Sequence, residues 1–282
     1  MRKTIMAAMA AASLIAISGC KQQAATNEAA TNVSTENAAA TASAGDINGT
    51  WKADVNSVQF DTKPDEYLLQ NGTYSCKSCT PAYTVAADGA DHPVKLPYAD
   101  TDNVKVVDDH TVKEVLKKSG KQVNEATTTI SADGNTSTTA FTDTTAPGAP
   151  AKGEFVETRV GAAPAGAHAI SGQWKPTKLS NFNDAALTFT VNVSGDTYKL
   201  SSPDGTSFEA KIGGPEVPIK GDIANTMVSV TKDGNSYKTT RKRDGKVVGT
   251  TTVTLGADGR LHAESKNEMN GAVTRWIADK QS

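Results

Sequence analysis

The sequence predicts an all-β protein: two tandem antiparallel meander β-barrels, following a signal peptide and a disordered tether. Three observations predict it. First, Asn-Gly and Asp-Gly pairs recur, at Asn71-Gly72, Asp88-Gly89, Asp133-Gly134, Asp204-Gly205, Asp233-Gly234, Asp244-Gly245, Asp258-Gly259 and Asn270-Gly271. Such pairs suit two-residue hairpins, because a type I′ turn needs positive φ at both central residues. Second, the runs between them are rich in Thr, Val, Tyr and Lys, the composition of half-buried strands. Third, the segments opening at Gly49 and Gly172 repeat one another.

The first nineteen residues read as a signal peptide. Met1-Arg2-Lys3 is a short basic start, and residues 5–17 are uncharged and mostly Ala, Ile, Leu and Met. That run is shorter than the ~20 apolar residues a membrane span needs, and it has the length of a signal-peptide core. It ends Ile17-Ser18-Gly19-Cys20, which resembles the lipobox of bacterial lipoproteins. The resemblance implies cleavage before Cys20, diacylglycerol on its sulfur and an acylated amine, a stable multi-chain anchor. Lys21 rather than Asp follows, and the family's sorting pattern then implies the outer membrane, facing the periplasm.

Residues 20–47 are expected to form a lipidated, flexible tether. They are dominated by Ala, Thr, Asn and Ser, without an aromatic, and cannot bury enough apolar surface to offset chain entropy. The chain as a whole has 282 residues, 37% hydrophobic, 5% aromatic, with a formal net charge of -2. A near-neutral balance gives no global basic field for nucleic acid. So low an aromatic content, with Thr/Lys-rich strands, lacks the apolar band and aromatic girdles of a membrane-spanning barrel.

The body divides into repeat one, 48–161, a linker, 162–170, and repeat two, 171–282. Gly49-Thr50-Trp51-Lys52 matches Gly172-Gln173-Trp174-Lys175. Gly72-Thr73-Tyr74 matches Asp196-Thr197-Tyr198, and Ala132-Asp133-Gly134 matches Ala257-Asp258-Gly259. Ordered matches at near-constant spacing imply an internal duplication. Roughly seven strands per repeat are expected from the turn spacing. The stretch 124–141, with Thr-rich arms around Asp133-Gly134, is the clearest hairpin. Consecutive hairpins form a meander, and closure into a barrel removes its exposed edges.

Each repeat opens with Gly-x-Trp, at Gly49 and Trp51, then at Gly172 and Trp174. This resembles the opening strand of lipocalins and related calycin barrels. The resemblance implies that Trp51 and Trp174 plug the barrel ends. It also implies that a late arginine packs on each, with Arg159 and Arg275 the candidates by position.

Few motifs carry chemistry. Cys76-Lys77-Ser78-Cys79 admits a disulfide, a metal site or a redox pair. The flanks read as strand and loop, so no helix dipole activates a thiolate. A zinc site needs four ligands, and His92 and His110 show no regular spacing to the cysteines. A disulfide suits an oxidising compartment. The four histidines are scattered, and no HExxH, GxSxG or phosphate-cradling loop occurs. Asp108-Asp109 falls at a turn. Neither catalytic nor metal-binding residues are therefore assigned, and no cofactor is expected. Lys238, Arg241, Arg243 and Lys246 form a basic run that reads either as a contact for anionic headgroups or glycans, or as a charged edge strand.

The expected function is a lipid-anchored, non-catalytic cell-envelope protein binding a small apolar or amphipathic ligand in a barrel. A structural module with filled barrels, contacting an envelope protein or glycan, is the alternative, and an unrecognised enzyme is third. Nucleic acid is excluded as a partner.

Overall fold

The structure is a computed structural model and describes residues 46–282. The signal peptide, the lipobox with Cys20 and the tether up to residue 45 lie outside the described residues. No helix among the described residues is long and apolar enough to cross a membrane.

The protein is all-β, its described residues forming two nearly closed ten-stranded antiparallel sheets and one single-turn helix. Strand β1 is Gly49–Asp61. The next ten are β2 (Asp65–Gln70), β3 (Thr73–Cys76), β4 (Tyr83–Ala86), β5 (Asp88–Leu96), β6 (Ala99–Asp108), β7 (Thr111–Lys118), β8 (Lys121–Ile130), β9 (Thr136–Asp143), β10 (Ala151–Arg159) and β11 (Gly172–Ser180). After α1 (Asp184–Leu187) come β12 (Thr188–Ser194), β13 (Thr197–Ser201), β14 (Ser207–Lys211), β15 (Val217–Pro218) and β16 (Met227–Asp233). The last four are β17 (Ser236–Arg243), β18 (Lys246–Leu255), β19 (Leu261–Asn267) and β20 (Val273–Lys280). The count exceeds the sequence expectation because strands as short as β4 and β15 leave little pattern.

Turn chemistry explains most corners. Asn71 and Gly72 both have positive φ (52° and 71°), as do Asp244 and Gly245 (49° and 73°), the type I′ pair that closes β2–β3 and β17–β18. Asp88-Gly89 behaves differently. It opens β5, beside a break in register against β6, so this Gly serves a bulge rather than a hairpin tip.

The barrels do not follow the repeat boundaries expected at 48–161 and 171–282. One sheet runs β4-β3-β2-β11-β10-β9-β8-β7-β6-β5, and the other runs β14-β13-β12-β1-β20-β19-β18-β17-β16-β15. Barrel 1 therefore takes its Trp strand, β11, from repeat two, and barrel 2 takes β1 from repeat one. Ser207 and Lys220 exchange backbone hydrogen bonds of 2.8 and 3.1 Å and close barrel 2 between its end strands. In barrel 1 the end strands β4 and β5 are joined by a single residue, Ala87.

Alternation along each strand places the cores inside. Barrel 1 is packed with Tyr67, Leu69, Tyr74, Val104, Leu116 and Trp174 among others. Asp65, Asp102 and Glu157 are also buried there, and none is without a partner. Phe141, Phe155 and Phe182 form an aromatic cluster with ring centroids 5.1 to 5.7 Å apart. They belong to one continuous core with the barrel 2 interior. Gly153 makes room for it, since a Cβ there would sit 2.5 Å from the Phe182 ring.

Candidate functional site

The duplicated strand start folds the same way twice. The Trp51 indole N–H donates to the Ile47 carbonyl at 2.8 Å, and Trp174 donates to Ile170 at 2.8 Å. Both rings are fully buried. Arg159 lies over the Trp174 ring, its guanidinium carbon 4.1 Å from the centroid. It also donates to the carbonyls of Gly134, Ser171 and Ala169 at 2.6 to 2.7 Å, and burial pulls its pKa below the usual value. Over Trp51 the cation is Lys280, at 5.5 Å. Arg275 instead binds Glu264 at 2.8 Å on the exposed side of β20. The cross-strand pairs explain this. Arg159 faces Trp174 and Lys280 faces Trp51, whereas Arg275 faces Gln59. The glycines two residues before each Trp make room for the cations. A Cβ on Gly172 would meet Arg159 at 2.5 Å, and one on Gly49 would meet Lys280 at 2.7 Å.

Cys76 and Cys79 form a disulfide at the end of β3, with Cα atoms 5.3 Å apart. The bridged loop is also held by the Lys77 and Ser78 amides on the Glu66 carbonyl. The histidines stay apart. His92 pairs with Asp88 and His262 with Asp258, at 2.8 and 3.0 Å. His168 donates to the Asp108 carbonyl at 2.7 Å and accepts from the Ile170 amide at 3.2 Å. Among the described residues no group of three His, Cys, Asp or Glu side chains is placed to hold a metal.

The basic run divides between two faces. Lys238 and Lys246 are exposed, while Arg241 and Arg243 are each 5% exposed. Residues 237, 239, 241 and 243 share the inward face of β17, and 238 points out, as a period of two requires.

Arg241 lines a cavity of about 40 Å3 inside barrel 2. The walls are aromatic and aliphatic: Phe189 from β12, Tyr198 and Leu200 from β13, Phe208 from β14, Val228 from β16, Val253 from β18 and Trp276 from β20. Thr239, Thr251 and Ser202 add hydroxyls. Burial pushes the Tyr198 phenol well above its usual range, with the neighbouring Tyr237 adding to it. Two lining donors find no acceptor among the described residues, the Arg241 Nε–H and the Trp276 indole N–H. Burial lowers the Arg241 pKa to about 10, and Arg243 beside it adds to the shift while Asp222 opposes it. The guanidinium still carries its charge at neutral pH. Arg243 is committed elsewhere, donating to the Ala224 carbonyl at 2.9 Å and the Thr226 hydroxyl at 2.7 Å.

Comparison with known proteins assigns no family to this arrangement. No protein-family model matches the chain, and no curated protein does. Among solved structures, a double mutant of the vaccine antigen Transferrin Binding Protein B from Haemophilus parasuis Hp5 aligns at 10% identity and a TM-score of 0.16, over 83% of this chain and 78% of that one. A TM-score so low carries no argument about fold or function.

Proposed function

We propose that this is a lipid-anchored protein of the cell envelope, held by Cys20 at the outer membrane and facing the periplasm, which binds a small apolar or amphipathic ligand inside barrel 2 and is not an enzyme. The observation that supports this reading is the cavity among Phe189, Tyr198, Phe208, Val253 and Trp276. Apolar concave sites with a few placed polar groups are the usual form of small-molecule sites. A volume near 40 Å3 is room for only a few water molecules, so in this reading the cavity takes the head and first carbons of a slender ligand and not the whole of a longer one.

Barrel 1 favours a different contribution. Its interior is packed with side chains up to the fully buried Trp174, so any role it has in recognition lies on its outer faces, toward an envelope protein or glycan.

The test uses residues 20–282 carrying Cys20→Ser, which have neither the apolar signal segment nor the lipid and need no detergent. Titration with hexanamide, a neutral slender probe, is followed by amide NMR shifts. Saturable shifts at Phe189, Tyr198, Phe208 and Val253, with barrel 1 unmoved, are the expected result. Shifts spread over both barrels, or none at millimolar probe, would refute the reading.

A further inference from the structure

We infer that the ligand of barrel 2 carries an anionic head, of the carboxylate type, and that Arg241 is the residue that recognises it; this rests on the cavity reading above. Arg241 is buried among largely apolar walls, and its Nε–H has no acceptor among the described residues. The one carboxylate whose charge bears on it, Asp222, accepts from the amides of Ala224 and Thr226 at 3.0 and 2.7 Å. Arg243 points inward on the same face and draws on Asp222 as well as on Asp244, so Asp222 does not serve Arg241 alone. A buried charge without a partner is costly unless something supplies the counter-charge. A guanidinium is shaped for a planar two-oxygen acceptor. The free indole N–H of Trp276 offers a second donor in the same cavity.

The other barrel supplies an internal control. On β17, Arg241 faces Gly249, and the register then slips so that Lys242 faces Val247. On β7 the same slip occurs, with Leu116 facing Asn124 and Lys117 facing Gln122. Leu116 is thus the counterpart of Arg241. It is 2% exposed and belongs to the packed core. The fold fills this position with an aliphatic side chain in barrel 1, so an arginine here is not a requirement of the barrel. Gly249 is adapted to it. Its φ is not positive, so the backbone does not call for glycine, yet a Cβ would lie 2.9 Å from the Arg241 Nη2. The missing side chain is room for the guanidinium.

The experiment compares hexanoate with hexanamide, which match in length and shape and differ in charge, by calorimetry on residues 20–282 carrying Cys20→Ser at pH 7. The expected result is hexanoate binding about tenfold or more tighter than hexanamide. Arg241→Leu, the barrel 1 residue, then removes that preference, keeps hexanamide binding, and leaves the melting temperature equal or higher, because a buried charge has gone. An arginine with only a structural role would instead show a lowered melting temperature and an unchanged preference. Equal binding of the two probes to the parent chain overturns the inference and leaves the cavity reading standing, even if the variant fails to fold. Binding of neither probe overturns the cavity reading, and the inference with it.

Discussion

At the scale of single residues, the two buried Trp sites show how far local pattern reaches. The two tryptophans stand out in the sequence because each follows a Gly by two and each repeat opens with the pair. Arg159 takes the place expected for it, but Lys280 does not announce itself, since its role depends on which residue of β20 faces Trp51. Gly172 carries a sharp prediction. Its φ is +122°, and a Cβ would meet the Arg159 guanidinium at 2.5 Å. Gly172→Ala is expected to destabilise by about 2 kcal/mol, through backbone strain and displacement of the cation. Urea denaturation measures this, and a parent-like midpoint would refute it. Arg241 was the most misleading residue in the sequence. A run of Lys and Arg looks like a solvated face, yet Lys238 and Arg241 are three apart and so lie on opposite faces of a strand. Parity with the buried Tyr237 was the signal available for it.

At the scale of elements, turn chemistry was legible and strand number was not. Turn carboxylates hold the corners. The Ser119 amide keeps the Asp100 carboxyl below its usual pKa, the His110 amide does so for Asp108, the Ser131 hydroxyl and Asn135 amide for Asp133, and the Arg260 amide for Asp258. Each folded pKa lies below the unfolded value. Their stabilisation is therefore fully present above the ordinary value of 3.8 and is lost as pH falls through the folded values. The urea midpoint should fall as pH drops below about 4, and Asp133→Asn should flatten that fall. Identical pH profiles for the two chains would rule Asp133 out as a contributor. The disulfide is a local device. Its counterpart segment, Leu200-Ser201-Ser202-Pro203, has no cysteine, so barrel closure does not depend on it. Replacing Cys76 and Cys79 by Ser is expected to cost about 2 kcal/mol from so short a loop and to leave barrel 2 binding unchanged. Loss of hexanamide binding in that variant would contradict it.

At the scale of the whole molecule, the exchange of β1 and β11 was not legible. The two Trp strands are alike in sequence, and in each the indole N–H donates to an Ile carbonyl while a cation, Arg159 or Lys280, lies over the ring. Which barrel receives which strand depends on the crossings at 62–64 and 181–187, where no local pattern speaks. The exchange makes the halves unequal as fragments. Residues 63–182 carry β2–β11, a complete barrel, and should unfold in one cooperative transition by circular dichroism. Residues 183–282 lack β1, the strand between β12 and β20, and should stay unfolded until a peptide of residues 47–61 is added. Cooperative folding of 183–282 alone would contradict the exchanged topology.

The proposed function rests on barrel 2, where Arg241 lines a cavity at the position that Leu116 occupies in the packed core of barrel 1. Native mass spectrometry of residues 20–282 carrying Cys20→Ser, exported behind a cleavable signal peptide and purified from the periplasm without detergent, tests this most directly. The account predicts a reproducible excess mass that is released on denaturation, behaves as a small acid, and is absent from Arg241→Leu. A bare polypeptide mass, two hydrogens light from the Cys76–Cys79 bridge, found for parent and variant alike across preparations, would contradict it.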